Sequence, residues 1–165
     1  MRKKSEILVI IPAYNEEKNI GVVIKKTRQS VPGVDIVVID DGSKDATSRM
    51  AQDAGATVLS HSINLGPGAA AQTGFKYALR YSYEYVVQLD ADGQHEPQYI
   101  KDLLAALEGS GADVVIGSRF LGVKGYQPPW IRRMGMAIFG SLTSLIIGQR
   151  ITDSTSGFRA LSLPW

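Results

Sequence analysis

Cysteine is absent from the 165-residue chain, so disulfides, thiolate–zinc sites and thiol nucleophiles are excluded at the outset. A dominant charge sign is missing too. Eighteen Lys and Arg against sixteen Asp and Glu leave a formal charge of +2, too even for a chain that coats nucleic acid. Long hydrophobic runs are also lacking. The first apolar run, residues 7–11, is too short for a signal peptide and is followed by acidic residues. The uncharged stretch MGMAIFGSLTSLIIG at 134–148 falls short of the roughly 20 residues that cross a bilayer. It fits a helix buried against a sheet, with an interfacial helix beside Arg132 and Arg133 as the other reading. A reducing cytosol suits a chain of this kind. What is present is ordinary for one globular domain with its own core: 44% apolar and 21% charged residues.

Short β-rich runs alternate with helical patterns along this composition. Residues 7–11, 35–39, 57–60, 85–89 and 112–117 read as strands, the first being continuous and β-branched as in a strand covered on both faces. Helical spacing appears over 16–29, where Ile20, Val23, Ile24 and Thr27 share a stripe, and over 97–108, where Ile100, Leu103, Leu104 and Leu107 do. Residues 45–54 and 68–83 are further helices. Such alternation predicts an α/β fold with a mainly parallel sheet flanked by helices. Beyond Phe120 the pattern loosens into GVKGYQPPW, a loop that is either a lid beside a site or a plain surface connection.

In parallel sheets ligands bind beyond the carboxyl ends of the strands. Four polar motifs fall there: PAYNE (12–16), DDGS (40–43), DADGQ (90–94) and GSR (117–119). Asp90 and Asp92 lie two apart, so an extended backbone sends both carboxylates to one face, and Gln94 would follow unless Gly93 turns the chain. Two carboxylates and an amide oxygen are hard ligands suited to Mg²⁺ or Mn²⁺, although Asp-Gly also marks ordinary turns. His95 reads as an exposed loop histidine, with a ligand or base role as the alternative. Asp41 can accept a hydrogen bond from a base N–H or a ribose hydroxyl, and Asp40 can pair structurally. Ser43 and Asp45 suit helix capping, as do Asn15 and Glu16, while Tyr14 can pack on a base. NLGPGAAAQTG (64–74) does not match a dinucleotide fingerprint, because its glycines fall at 66, 68 and 74. Arg119 can brace phosphate oxygens. For Arg132, Arg133 and Arg159 the default is a solvated surface.

Taken in order, IPAYNEE, VVIDDGSKDAT, NLGPGAAAQTGFKYA, QLDADGQHEP, VIGSRF and TSGFRA resemble glycosyltransferase family 2, in the branch of dolichol-phosphate mannose synthase and the polyprenyl-phosphate glycosyltransferases. The resemblance spans nearly the whole chain. It implies a GT-A fold over 1–165 as a single catalytic domain, truncated at its C-terminus relative to the family. It also implies a GDP- or UDP-sugar donor and an inverting, metal-dependent hexosyl transfer to a polyprenyl phosphate, carried out in the cytoplasm at the inner face of a membrane. By similarity, Pro12, Ala13, Tyr14, Glu16, Asp41, Asp90, Ala91 and Arg119 bind the nucleotide-sugar. Asp90, Asp92 and Gln94 hold Mg²⁺ or Mn²⁺, and Asp92, Arg119 and Asp153 are the catalytic group. Asp153 would serve as base where the acceptor is a hydroxyl. That alternative, and a nucleotide-sugar-binding module without turnover, are the competing functions. Pro67 departs from the family, whose members often carry lysine there.

Overall fold

The computed structural model describes residues 5–118 and 156–163. Six strands form one sheet in the order β3-β2-β1-β4-β6-β5. They are β1 (Ile7–Ala13), β2 (Asp35–Asp40), β3 (Thr57–Ser60), β4 (Tyr85–Gln88), β5 (Val114–Ile116) and β6 (Arg159–Ser162). The helices are α1 (Ile20–Ser30), α2 (Thr47–Asp53), α3 (Pro67–Arg80) and α4 (Ile100–Ser110), the last entered through a short 3-10 turn at Pro97–Tyr99.

The central strands are buried on both faces, which is why they read as unbroken β-branched runs rather than alternating ones. Odd positions of β1 (Val9, Ile11) join Ile20, Val23 and Ile24 of α1 and Leu103, Leu104 and Leu107 of α4 in one apolar layer. Even positions (Leu8, Ile10) join Val37, Ile39, Val86, Ala70 and Ala78 in the opposite layer, against α3. Each fully buried Ile, Leu or Val contributes about 1.5–3 kcal/mol relative to exposure, so these two layers dominate the stabilisation. Helix α3 approaches the sheet through small residues, Ala70, Ala71, Gly74 and Ala78. A Cβ on Gly74 would lie 3.0 Å from Ile10 Cβ and from Ile39 Cδ1, so a larger residue fits only if these side chains give way.

Strands β3, β2, β1 and β4 run parallel, with Ala13 opposite Asp40 and Ile10 opposite Gln88. This register brings the ends of β1, β2 and β4 to one edge. One element differs from the sequence expectation. β6, RALS, which begins at the last two residues of TSGFRA, inserts antiparallel between β4 and β5. It separates β5 from β4 but leaves β5 parallel to β4, so Gly117 and Ser118 reach the same edge one strand further along, where the Gly117 N–H bonds the Phe158 carbonyl at 2.8 Å. Four residues without a periodic pattern carry no strand signal, and only the pairing with two neighbours makes them one. Among the described residues, no helix is long and apolar enough to cross a membrane.

Candidate active site at the carboxyl edge

A cleft of about 280 Å³ opens at the carboxyl ends of β1, β2 and β4. It is lined by Pro12, Ala13, Tyr14, Glu16, Asp41, Asp90, Ala91 and Asp92 from the expected motifs, and also by Asn64, Pro67 and Ala70. The three motifs thus converge as parallel topology requires. Arg119, Arg132, Arg133, Asp153, the 122–130 loop and the 134–148 segment lie outside the described residues.

Two turns form one wall and lock each other. Asn15, at φ 54°, donates its N–H to Ser43 Oγ at 2.9 Å, and its Oδ1 accepts the Lys44 N–H at 2.9 Å. Glu16 N–H reaches Thr47 Oγ1 at 2.7 Å, Glu17 N–H reaches Asp45 Oδ2 at 3.1 Å, and Ala46 N–H returns to Glu17 Oε2 at 3.0 Å. Asn15 and Glu16 therefore do not cap α1 with their side chains; the helix starts only at Ile20, and Glu16 supplies its backbone carbonyl. Ser43 is likewise spent on Asn15. Asp45 does bond the Thr47 N–H at 3.0 Å, as capping predicts. Burial opposes ionisation of Asp45, but bonds from the Thr47 hydroxyl and N–H and from Glu17 outweigh it and lower its pKa.

Asp40 and Asp41 leave β2 in different directions, and both are buried. Asp40 is structural: Oδ1 accepts the Ser43 N–H at 3.0 Å and Oδ2 the Ser48 hydroxyl at 2.6 Å. Asp41 is 3% exposed yet borders the cleft. Its Oδ1 bonds His61 Nδ1 at 2.7 Å and the Leu65 N–H at 3.0 Å, and its Oδ2 the Gly66 N–H at 2.8 Å. Burial would raise its pKa, but the bonds from Leu65, His61 and Gly66 prevail and the pKa is lowered. The 61–66 loop is folded around this carboxylate. Gly42, at φ 74°, lets it come so close that a Cβ there would lie 2.6 Å from the Ile63 carbonyl carbon. Sequence reasoning missed His61 because its partners, Asp41 and Thr73, stand on other elements.

The opposite wall holds Asp90 and Asp92, with Ala91 turned into the core between them. Gln94 does not join them. Its N–H donates to Asp92 Oδ1 at 2.9 Å, closing a turn with Gly93 at φ 75°, so the every-second-residue rule stops at 92. His95 is not an exposed loop residue. Its side chain is 10% exposed, stacked on Phe158 at 5.3 Å between ring centroids, with Nε2 3.3 Å from Asp90 Oδ2. Phe158 comes from TSGFRA, some sixty positions away, which is why local sequence reads this histidine wrongly. Neighbouring Gly157 packs directly on the Asp90 carboxylate; a Cβ there would overlap both oxygens. Arg159 is half-buried and donates Nη2 to the Ser156 carbonyl at 2.8 Å, so it is tied to β6 rather than solvated.

Asp90 and Asp92 both line the cleft, and among the described residues each has one polar partner, His95 and the Gln94 N–H respectively. Two such carboxylates fit a hard divalent ion that completes its shell with water and ligand oxygens. Among the described residues no group of three or more His, Asp or Glu forms a fuller cage.

The mainly parallel sheet, with a cleft at its carboxyl edge and two aspartates on one wall, is a GT-A fold, as its likeness to solved glycosyltransferase structures shows. The chain belongs to glycosyltransferase family 2: the family model described as Glycosyl transferase family 2 matches residues 8–164. It is 38% identical over 161 residues to undecaprenyl-phosphate mannosyltransferase of Micrococcus luteus, covering 93% of this chain and 65% of that one. It is 35% identical over 167 residues to polyprenol monophosphomannose synthase of Mycolicibacterium smegmatis, covering 97% and 63%. Among solved structures, glucosyl-3-phosphoglycerate synthase of Mycobacterium tuberculosis with Mn²⁺, UDP-glucose and phosphoglyceric acid superposes with a TM-score of 0.73 at 26% identity, over 97% of this chain and 57% of that one. The chain thus spans under two thirds of the length of these relatives.

Two outcomes follow from this geometry. Gly157→Ala forces the Asp90 carboxylate aside, so Mn²⁺ affinity measured by calorimetry is expected to fall about 10-fold or more, as for other groups that orient a ligand. Asp41→Asn is expected to destabilise the fold at neutral pH. Because the folded carboxylate has the lower pKa, its contribution is complete above the unfolded value near 3.8 and is lost as pH falls through the folded one. Paired urea titrations at neutral pH and at about pH 3 should show the wild-type advantage shrink in acid.

Proposed function

We propose that this chain is the donor-binding part of an inverting transferase that moves a hexosyl group from a nucleotide-diphosphate sugar to a polyprenyl phosphate. The observation that carries the reading is the joint presence of Asp90 and Asp92 on one wall of a cleft whose other wall is built from the turns after β1 and β2. The lipid-phosphate acceptor is favoured over a hydroxyl one because the relatives at 35–38% identity are named for polyprenyl carriers.

In this reading Tyr14, 43% exposed at the cleft, packs on the nucleoside base, and Asp41 accepts one hydrogen bond from it. Asp90 and Asp92 hold Mg²⁺ or Mn²⁺ through hard oxygens. The ion, when bound, supplies positive charge against the departing diphosphate. Pro67 opens α3 at the cleft, where a lysine would have added charge, and contributes shape instead. An acceptor phosphate is already ionised near neutral pH, so its oxygen attacks the anomeric carbon from the face opposite the diphosphate without a strong base. Arg119 is proposed to brace phosphate and Asp153 to act as base only for hydroxyl acceptors. The site would work at the inner face of a membrane, where the acceptor's phosphate is presented.

The test is release of nucleoside diphosphate from GDP- and UDP-hexoses with Mn²⁺ and a polyprenyl phosphate. Asp92→Asn is expected to lower turnover about 100- to 1,000-fold, the usual scale for removing charge stabilisation at a leaving group. Asp153→Asn should leave the lipid-phosphate reaction nearly intact. Its collapse would favour a hydroxyl acceptor, and donor binding with no release under any acceptor would favour a binding module.

A further inference from the structure

A carboxylate offers about four acceptor positions, two on each oxygen. At Asp41 three are occupied from within the protein. His61 Nδ1 and the Leu65 N–H fill Oδ1, and the Gly66 N–H takes half of Oδ2. The imidazole cannot easily withdraw, because its Nε2 is held 3.0 Å from Thr73 Oγ1, and that hydroxyl is anchored 3.0 Å from the Ala69 carbonyl in the first turn of α3. With Asp41 ionised, Nδ1 carries the proton in this contact and donates it. Only one acceptor position on Oδ2 remains for anything entering the cleft.

We propose that His61 is a specificity-determining residue: by occupying Asp41 Oδ1 it restricts Asp41 to a single ligand donor, and so selects a uracil base over guanine. This rests on the reading that Asp41 faces the nucleoside. Guanine presents adjacent ring and exocyclic N–H groups, which a carboxylate satisfies by offering both oxygens at once. Uracil presents one imide N–H between two carbonyl oxygens. An open carboxylate would turn spare lone pairs toward those carbonyls. One with three positions covered by N–H groups turns a single lone pair to a single N–H. Guanine here would leave one donor unpaired, and an unpaired buried donor is the costliest outcome of a mismatch. The near-complete burial of Asp41 agrees, since little beyond one contact position is open.

The experiment is calorimetric titration of the full chain with UDP and with GDP, each with Mn²⁺, in wild type, His61→Ala and His61→Asn. Wild type is expected to bind UDP at least about tenfold more tightly than GDP, the scale of one hydrogen bond to a charged group. His61→Ala frees Oδ1 and should bring the two affinities together, mainly by improving GDP. His61→Asn carries an N–H near the position of Nδ1 and should restore the wild-type preference. Equal or tighter GDP binding by wild type overturns the proposal while leaving a nucleotide site in place, and does so even if neither variant folds. An unchanged UDP-to-GDP ratio in folded His61→Ala also overturns it. Binding of neither nucleotide removes the functional reading and this inference together.

Discussion

Two pairs of aspartates, Asp40 with Asp41 and Asp90 with Asp92, end up at one edge of one sheet, and like charges so placed in a partly buried setting must each be compensated. The compensation is uneven, and the unevenness divides the edge. Asp40 is covered by the Ser43 N–H and the Ser48 hydroxyl, and Asp41 by two backbone N–H groups and an imidazole. Across the cleft, among the described residues, Asp90 has His95 at 3.3 Å and Asp92 has the Gln94 N–H. Asp40 is thereby finished by the protein, and Asp41 keeps a single acceptor position at the cleft. The pair after β4 has fewer partners among the described residues, and two hard carboxylates of this kind suit a divalent cation.

The same accounting explains why the loops around the cleft are ordered without regular structure. A loop beside a ligand must satisfy its backbone without offering it to the ligand's competitors. The turns after β1 and β2 do so by exchange: the N–H groups of residues 15–17 go to side chains of the second turn, while the N–H groups of Lys44 and Ala46 go to side chains of the first. The loop from His61 to Gly66 does so around one anion, Asp41. In both places acidic and hydroxyl side chains hold the backbone of the walls together.

How much of this was legible follows from the range of each interaction. Periodicity over five strands and four helices is local, and the α/β fold with its parallel core could be read from it. The same holds for the convergence of PAYNE, DDGS and DADGQ, because strand ends on a parallel sheet share an edge by geometry alone. Contacts between distant segments were not legible. His95 looks exposed until Phe158 is laid over it, and His61 looks idle until Asp41 and Thr73 are brought to its two nitrogens. Gln94 differs for the opposite reason: the rule applied was local, but Gly93, at φ 75°, turns the backbone before it, and Gln94 is not among the residues lining the cleft.

TSGFRA shows why a motif can stand far from the chemistry and still belong to it. β6 is the single antiparallel strand next to β4, and this reversal points its N-terminal end toward the carboxyl edge, where every parallel strand would present a C-terminal end. Gly157 and Phe158, just before β6, are therefore delivered to Asp90 from the far side. The glycine is small enough to touch the carboxylate, and the ring holds the histidine that faces it. A parallel strand at this position would have brought its first residues to the opposite edge of the sheet. The antiparallel insertion thus shapes the candidate site: it clamps Asp90 from a part of the chain that no local pattern connects to it.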